Sequence, residues 1–288
     1  MLDKLASLTP IARKIILDAA TEPPGSGAYN HIVTQGTYLC RRCGWALFRA
    51  STQFSAGCGW PSFDDDLLRR ITCSPDPDGV RTEITCGRCA AHLGHVFFGE
   101  QLTEKSQRYC VNSLSLDFVE HAEVWDTEEA IVAGGCFWGI EHAMRQIPGV
   151  VKAESGYIGG HTTAPHYEAV CSGTTGHYEA VRVVYDTEQS DYRTILKDFF
   201  EHHDPYQPDG QGLDRGAQYR SAVFYYNEHQ KLAATQLLQI LGQYGQVVAT
   251  VLKPITSFWP AEAYHQAYFT QHPAIAHCHQ RVIRFDRD

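Results

Sequence analysis

The 288-residue sequence has no uninterrupted apolar run of the roughly 18 to 20 residues that a membrane-spanning helix requires. Its first residues, MLDKLASLTPIARKIILDAA, are amphipathic and lack the apolar core of a signal peptide. Basic residues are not in excess, because 24 Lys and Arg stand against 33 Asp and Glu and the net charge is −9. These absences argue against a membrane protein and against a general binder of nucleic acid or anionic membranes. They predict a cytoplasmic protein.

Cysteine is too scarce for a disulfide scaffold, since ten cysteines in 288 residues lie well below the share of about 8% typical of that class. In a cytoplasmic protein, cysteines are better interpreted as metal ligands, redox thiols or core residues. Seven of the ten lie between Cys40 and Cys110, and only Cys136, Cys171 and Cys278 follow. The two halves are therefore predicted to be built differently.

The pattern of turns and apolar segments changes at 119–128. Before this stretch, turn signals separate short apolar segments of strand length, which predicts a mostly antiparallel β domain. After it, strand-like and helix-like segments alternate, which predicts an α/β sandwich of the ferredoxin-like type. We therefore predict an α+β protein of two domains, 1–122 and 123–288, and the length allows each domain a core of its own.

Two Cys-x-x-Cys pairs lie in the first half: CRRC contains Cys40 and Cys43, and CGRC contains Cys86 and Cys89. Four thiolates from two such pairs satisfy tetrahedral zinc and leave no open position, which defines a structural site. The segment between the pairs is longer than in the usual zinc ribbon. The pattern favours a zinc site in the N-terminal domain, and the alternative is one redox dithiol beside unrelated cysteines.

The stretch IVAGGCFWGIEHAMRQI places Cys136 between a glycine pair and two aromatic rings. The pattern predicts a strand, a tight glycine turn and a helix that begins near Cys136. The positive end of a helix dipole favours thiolate, the nucleophilic form of cysteine. The alternative is a small buried thiol of the core.

Further candidate groups lie in the first half. Cys58 belongs to SAGCGWPSF, a glycine-rich loop able to carry a thiol to a partner, and Cys110 lies near Arg108, whose charge favours thiolate. His92 and His95, in HLGHVF, are candidates for proton transfer near neutral pH. Each histidine taken alone is more often a hydrogen-bonded structural group.

The segments TEPPGSG, CRRCGWALF, SAGCGWPSF, CGRCAAHLGHVF and RYCVNSLSL, in this order over about residues 20–118, resemble the B-type peptide methionine sulfoxide reductases. The resemblance implies that Cys110 is the nucleophile, that Cys58 is the resolving cysteine and that Trp60 shapes the pocket for the sulfoxide methyl group. It implies a structural zinc ion bound by Cys40, Cys43, Cys86 and Cys89. It places four residues around the sulfoxide oxygen and the nucleophile: His92, His95, Arg108 and Asn112.

One segment departs from that family. VFFGEQLTEKSQ stands where the family usually has a proline–aspartate turn after HVF, which puts the fine positioning of the substrate in doubt. Cys73 lies in a variable stretch, and no role transfers to it.

The segments GGCFWG, GYIGGHTTAPHYEAVCSGTTGHYEAVRVVYD and HHDPYQPDGQGLDRGAQYRS, within about residues 129–280, resemble the A-type methionine sulfoxide reductases. The resemblance implies that Cys136 is the nucleophile and that Phe137 and Trp138 form the wall that accepts the substrate methyl group. Glu179 matches the acid that protonates the sulfoxide oxygen, and burial is expected to help it to retain its proton. The remaining matches are two hydrogen-bonding tyrosines, a polar pocket residue and a resolving cysteine: Tyr167, Tyr219, Asp214 and Cys278. Cys171 is expected to be a buried structural thiol.

Together the resemblances imply a fusion of a B-type and an A-type reductase, with the R epimer of methionine sulfoxide reduced by the first domain and the S epimer by the second. Each nucleophile would become a sulfenic acid, then a disulfide that thioredoxin reduces. One rival is a non-enzymatic adaptor made of a zinc ribbon and a ferredoxin-like interaction domain. A second is a general thiol–disulfide oxidoreductase, although neither nucleophile candidate belongs to a Cys-x-x-Cys pair.

Overall fold

The computed structural model describes residues 3–67, 70–121, 123–273 and 279–285. The chain forms two compact units, Asp3–Thr127 and Glu128–Asp288, which confirms the predicted two-part α+β organisation. The predicted domain limits at 122/123 stay a prediction. Within the described ranges, no helix has the length and apolar character needed to span a bilayer.

The first unit is built mostly from antiparallel strands, as predicted. Its α-helix α1 (Pro10–Asp18) begins where the Thr9 hydroxyl accepts a hydrogen bond from the Ala12 N–H, and Pro10 takes the first helical position, which needs no N–H donor. The strands are β1 (Thr37–Cys40), β2 (Ala46–Arg49), β3 (Gln53–Phe54), β4 (Ser62–Phe63), β5 (Ile71–Pro75), β6 (Thr82–Cys86), β7 (His92–Phe98), β8 (Gln107–Val111) and β9 (Leu116–Val119).

These strands form two sheets, of order β2-β1-β9 and β3-β4-β8-β7-β6-β5. A core that includes Tyr38, Phe48 and Phe63 lies between them, and the rings of Phe48 and Phe63 stack with their centroids 4.3 Å apart. In the larger sheet, His95 of β7 lies directly opposite Cys110 of β8. The sheet register therefore brings together two of the predicted site residues.

The second unit alternates strands and helices, again as predicted. Its helices are α2 (Phe137–Arg145), α3 (Tyr167–Cys171), α4 (Tyr192–Glu201), α5 (Glu228–Gly242) and α6 (Tyr268–Gln271). Its strands are β10 (Thr127–Ala133), β11 (Val150–Ile158), β12 (Tyr178–Asp186), β13 (Gly210–Gln211), β14 (Asp214–Arg215), β15 (Ala222–Tyr225), β16 (Val251–Pro254) and β17 (Trp259–Pro260).

The main sheet of this unit has the order β16-β15-β10-β12-β11-β17. Side chains alternate along β10, so that Ala130 and Val132 join the core beneath the helices while Ile131 and Ala133 join a second apolar cluster. Within the segment QVVATVLK, β16 begins only at Val251, where pairing with β15 starts. Val247 is 89% exposed and thus lacks the buried face of a strand.

Two candidate cysteine sites and a four-cysteine cluster

The four cysteines of the Cys-x-x-Cys pairs converge in the first unit. Their sulfur atoms all lie within 4.8 Å of one another; Cys40 and Cys89 are 3.6 Å apart, and Cys43 and Cys86 are 3.7 Å apart. Among the described residues, this is the one group of His, Cys, Asp or Glu side chains able to hold a metal ion. Four soft sulfur donors with no additional ligand fit a closed tetrahedral site.

The backbone forms the same kind of turn at both Cys-x-x-Cys pairs. The carbonyl of Cys40 accepts a hydrogen bond from the N–H of Gly44, and the carbonyl of Cys86 accepts one from the N–H of Ala90, each at 2.8 Å. Gly44 and Ala90 both adopt left-handed conformations, with φ of 75° and 56°. Each strand therefore ends in a tight turn that aims two thiols at one point.

Cys58 and Cys110 also lie together, with their sulfur atoms 3.8 Å apart. Cys110 lies on β8, whereas Cys58 lies in the loop between β3 and β4, flanked by Gly57 and Gly59 at positive φ. A side chain at Gly59 would collide with Pro24, whose Cβ lies 2.8 Å from the position of the missing Cβ. Glycine at position 59 thus lets the loop that carries Cys58 pack closely against Pro24.

The two thiols of this pair differ in acidity. Burial, together with the neighbouring Cys58 sulfur, raises the pKa of Cys110 to about 12, and the lowering effect of Arg108 does not compensate. Burial also opposes ionisation of Cys58, but hydrogen bonds with the Ser62 hydroxyl and the Trp60 backbone outweigh it, so the pKa of Cys58 is lowered. Arg108 thus acts in the predicted direction on the pKa of Cys110, but burial has the larger effect.

A cavity of about 100 Å³ opens beside Cys110. Four predicted site residues line it, together with four others: Trp60, His95, Cys110 and Asn112, then Thr21, Arg81, Gly94 and Phe97. His92 is 3% exposed and does not line this cavity; its Nδ1 lies 2.6 Å from Oε1 of Glu83. His92 therefore stands behind His95, with the two ring centroids 5.8 Å apart.

The segment that departs from the family pattern still supplies a carboxylate. Glu100 forms a bidentate ion pair with Arg108, with O–N distances of 2.7 and 2.9 Å. The guanidinium also lies 4.4 Å from the centre of the Phe97 ring. Arg108 is therefore held in place although the usual turn is missing, and sequence patterns gave no signal for Glu100 as its partner.

Glu22 organises the other side of this site. Its backbone carbonyl accepts a hydrogen bond from the Trp60 indole N–H at 3.0 Å, and its N–H donates to Oδ1 of Asn112. Its buried carboxylate accepts from the N–H groups of Ser113 and Leu114. The TEPPGSG segment thus fixes an aromatic wall and the turn that follows Cys110.

In the second unit, Cys136 occupies the N-cap position of α2, as the sequence predicted. Gly135 precedes it at φ 95°, and a Cβ there would lie 2.6 Å from Cβ of Gln211. A Cβ at Gly134 would lie 2.8 Å from the Phe199 ring. Only glycines let the strand turn this sharply, so the glycine pair places a half-buried thiol at the helix start.

A buried carboxyl group and two phenols surround this helix start. Glu179 of β12 is 1% exposed, and its Oε2 accepts a hydrogen bond from the N–H of Phe137 at 3.2 Å. Burial raises the pKa of Tyr167 and of Tyr219 above the usual range; a hydrogen bond with Cys171 adds to the effect on Tyr167, and the proximity of Glu179 adds to both. Both phenols therefore stay protonated and can donate hydrogen bonds.

The wall formed by Phe137 and Trp138 rests on two residues that the sequence analysis missed. The Trp138 indole N–H donates to Nδ1 of His265 at 3.0 Å, and its ring stacks on Tyr268 at 3.7 Å between centroids. His265 is 1% exposed and also contacts the rings of Phe137 and Tyr167. A histidine three residues before a tyrosine in AYHQAYF was the available signal, but only the fold shows that both face Trp138.

Three other residues of this half were singled out from the sequence: Asp214, Cys278 and Cys171. Asp214 lines a cavity of about 190 Å³, which His203 and His279 also line. Cys278 lies outside the described residues; the neighbouring His279 is described, with its Nε2 2.9 Å from the Gly134 carbonyl oxygen. Cys171 was predicted to be buried, but it is exposed, which corrects that prediction.

Comparison with known proteins gives a separate family match for each half of the chain. The family model described as peptide methionine sulfoxide reductase matches residues 128–287, and the SelR domain model matches residues 8–120. The chain is similar to the peptide methionine sulfoxide reductase MsrA of Thermus thermophilus, with 47% identity over 152 residues, 52% of this chain and 86% of that protein. The MsrA of Methanosarcina mazei is 44% identical over 173 residues, 59% of this chain and 82% of its own length.

A solved structure is also similar to the second half. The reduced form of Mxr1 from Saccharomyces cerevisiae aligns with a TM-score of 0.51 and 32% identity, over 55% of this chain and 93% of that chain.

Proposed function

Because the chain belongs to the peptide methionine sulfoxide reductases, a family of thiol-dependent oxidoreductases, we propose that it reduces methionine sulfoxide at two separate sites. The first, around Cys110, takes the R epimer, and the second, around Cys136, takes the S epimer. The observation that carries the proposal is that each unit places a cysteine beside an anchored tryptophan, Trp60 in one and Trp138 in the other.

The chemistry at either site is the same. A thiolate attacks the sulfoxide sulfur, the oxygen passes to the cysteine, and one proton is taken up, giving methionine and a sulfenic acid. The cysteine sulfur is oxidised by two electrons and the substrate sulfur is reduced by two. A second thiol then displaces water to form a disulfide, which an external dithiol returns to two thiols.

In the first unit, Cys110 is the proposed nucleophile and Cys58 the resolving cysteine, supported by the 3.8 Å between their sulfur atoms. Trp60 forms the methyl pocket. His95 and Asn112 face the substrate oxygen from the cavity wall, while Arg108 acts from beside Cys110 and His92 supports His95 from behind.

In the second unit, Cys136 is the proposed nucleophile and Glu179 the proton donor, supported by the contact of Glu179 with the start of α2. Phe137 and Trp138 form the methyl pocket. The hydrogen-bonding and polar positions are proposed for Tyr167, Tyr219 and Asp214. Cys278 is proposed as the resolving cysteine, supported by the hydrogen-bond distance between its neighbour His279 and Gly134.

Zinc is the proposed metal of the four-cysteine cluster, one ion per chain, because the cluster offers four sulfur donors and no open position. Its role would be structural, since it would link the turns after β1 and β6. The proposed reductase domains are 1–122 and 123–288, the second a ferredoxin-like α/β sandwich with α2, α4 and α5 packed on the main sheet. A cytoplasmic location and thioredoxin as reductant are proposed because these thiols need a reducing environment to turn over.

The test is turnover of each purified diastereomer of methionine sulfoxide with dithiothreitol as reductant. We expect methionine from both epimers. A general thiol–disulfide oxidoreductase would instead reduce a disulfide substrate and release no methionine, and an adaptor would do neither. If a zinc-loaded, folded chain released no methionine from one or both epimers, the proposal would be contradicted.

The resolving role of Cys58 is tested in the same assay with thioredoxin as reductant. Cys58→Ser should release about one methionine per R site and then stall, because the sulfenic acid forms but no disulfide follows. Sustained turnover of this variant would transfer the resolving role to another cysteine, with Cys73 the first to be substituted.

A further inference from the structure

Asp76 lies in the turn SPDPDG and contacts His95 of the R site. Its Oδ2 is 2.6 Å from Nε2 of His95, and the two side chains are 13% and 10% exposed. His95 lines the cavity beside Cys110 and lies directly opposite Cys110 in the β7–β8 register. Side chains opposite each other on one face of an antiparallel pair have their Cβ atoms about 4.5 to 5.5 Å apart.

The turn that carries Asp76 is tightly hydrogen-bonded. Oδ1 of Asp76 accepts from the N–H of Asp78 at 2.9 Å, and the backbone of Asp76 is bonded to Arg81 and Gly79. The Asp78 N–H, with a further contribution from His95, lowers the pKa of Asp76 and keeps the carboxylate charged. The carboxylate is therefore fixed before any substrate arrives.

The neighbouring pair of Glu83 and His92 provides a contrast within the same sheet. It has the same 2.6 Å contact, but His92 does not line the cavity and is buried behind His95. A contact that only stabilises the sheet can involve a buried ring such as that of His92. The Asp76 contact instead involves the His95 ring, which lines the cavity.

We propose that Asp76 is a positioning residue of the R site: it binds Nε2 of His95, sets the orientation of the ring and holds the imidazolium that protonates the sulfoxide oxygen. The proposal rests on the function proposed above. With Nε2 engaged by Asp76, Nδ1 is the ring nitrogen that meets the substrate. As the Cys110 thiolate attacks sulfur, the proton of Nδ1 passes to the oxygen that becomes the sulfenic hydroxyl, and His95 is left neutral until solvent reprotonates it.

Several charged or titratable groups face His95 from the elements around it, and they share its electrostatic environment. They are Glu83 on β6, Arg108 and Cys110 on β8, His92 on β7 itself, Asp78 and Arg81 in the turn, and Cys58 in the glycine-rich loop. Among the described residues, Asp76 is the carboxylate that contacts the His95 ring directly. A variant at Asp76 should therefore differ from one that removes a charge elsewhere in the turn.

The experiment measures methionine released in a single turnover of the R sulfoxide by the full zinc-loaded chain, across a range of pH. Asp76→Asn should slow this turnover by about 10- to 100-fold, less than the full loss of a general acid. Its pH profile should also differ from that of the unsubstituted chain, because an amide then replaces the carboxylate that contacts the His95 ring. Asp78→Asn is the matched control: it removes one carboxylate from the same turn, together with its ion pair to Arg81, but leaves the contact of Asp76 with His95, so its rate and pH profile should stay closer to those of the unsubstituted chain.

Zinc content reports folding of the first unit, and reduction of the S epimer reports folding of the second. If Asp76→Asn loses zinc, Asp76→Ala in the presence of sodium formate replaces it, and recovery of rate with formate would support the proposal. A zinc-loaded Asp76 variant with the pH profile of Asp78→Asn, or without recovery in formate, would overturn it. If the unsubstituted chain released no methionine from the R sulfoxide, the proposed function would fail instead.

Discussion

The two units anchor a tryptophan beside a cysteine with different acceptors. In the first unit, the Trp60 indole N–H donates to the backbone carbonyl of Glu22, and in the second, the Trp138 indole N–H donates to the imidazole of His265, each at 3.0 Å. A carbonyl oxygen does not titrate, whereas a protonated imidazole cannot accept a hydrogen bond. The hydrogen bond that holds Trp60 is therefore insensitive to pH, whereas the one that holds Trp138 requires a neutral His265.

The cysteines themselves are also presented differently. Cys110 is embedded in a strand and already has Cys58 within 3.8 Å, whereas Cys136 begins a helix. The first site depends on a sheet and a loop that the four-cysteine cluster holds at one end, because β6 ends in Cys86. The second depends on a glycine turn and a buried acid. Each difference gives a way to impair one site and spare the other.

The largest expected effect is on folding of the first unit. Binding of structural zinc can contribute on the order of 10 kcal/mol, comparable to the whole stability of a small domain. Cys86→Ser should therefore lose zinc and unfold the first unit, while reduction of the S epimer continues. Metal analysis and chemical denaturation of the full chain provide the readout, and undiminished zinc in this variant would refute the assignment.

The next largest effect is on catalysis in the second unit. Glu179→Gln keeps a hydrogen-bonding group beside α2 but cannot donate the acidic proton, so S reduction should fall by about 100- to 10,000-fold. Reduction of the R epimer should be unchanged. Glu129→Gln is a suitable control, because Glu129 is also fully buried in this unit but bonds Tyr226 instead. A loss of S reduction in both variants would indicate disturbed packing instead of a missing acid.

Local patterns predicted the parts of these sites that are contiguous in sequence. The Cys-x-x-Cys pairs end in equivalent turns, and GGC places Cys136 at a helix start, because short-range backbone geometry decides both. The same reasoning was wrong about Cys171. It ends the five-residue helix α3, where a rotation of about 100° per residue buries Val170 and leaves Cys171 exposed.

The residues that the sequence did not predict are partners that the tertiary fold brings together. Glu100 reaches Arg108 from a turn that departs from the family pattern, and His265 reaches Trp138 across 127 positions. Asp76 was visible only as part of a turn. No local period or spacing links such pairs, since the sheet register and the chain path bring them together.

The smallest expected effect concerns the hydrogen bond between Trp138 and His265, whose imidazole can be protonated. Burial, opposed by Glu262, lowers the pKa of His265, so its imidazole stays neutral until the pH falls below the usual range for histidine. Below that point the Trp138 anchor should be lost and the KM for the S epimer should rise, while the KM for the R epimer stays constant. Tyr167, Tyr264 and Glu262 face the same ring and remain in place in every variant compared.

His265→Gln, which can still accept from the indole, should retain a low KM for the S epimer at acidic pH. His265→Leu should raise that KM at every pH by about 10-fold, the value of roughly one hydrogen bond. If the KM values for the two epimers changed in the same way with pH, the proposed difference between the Trp60 and Trp138 hydrogen bonds would be contradicted.

The central claim is that one chain holds two chemically separate sites, and chiral separation of the sulfoxide left from a racemic mixture tests it most directly. Serine keeps the shape of cysteine but holds its proton far above neutral pH, so nucleophilic attack fails while the fold persists. Cys136→Ser should leave the S epimer unreacted and consume the R epimer at a near-normal rate, and Cys110→Ser should do the reverse. If either folded variant lost reduction of both epimers, or of neither, the two-site account would be contradicted.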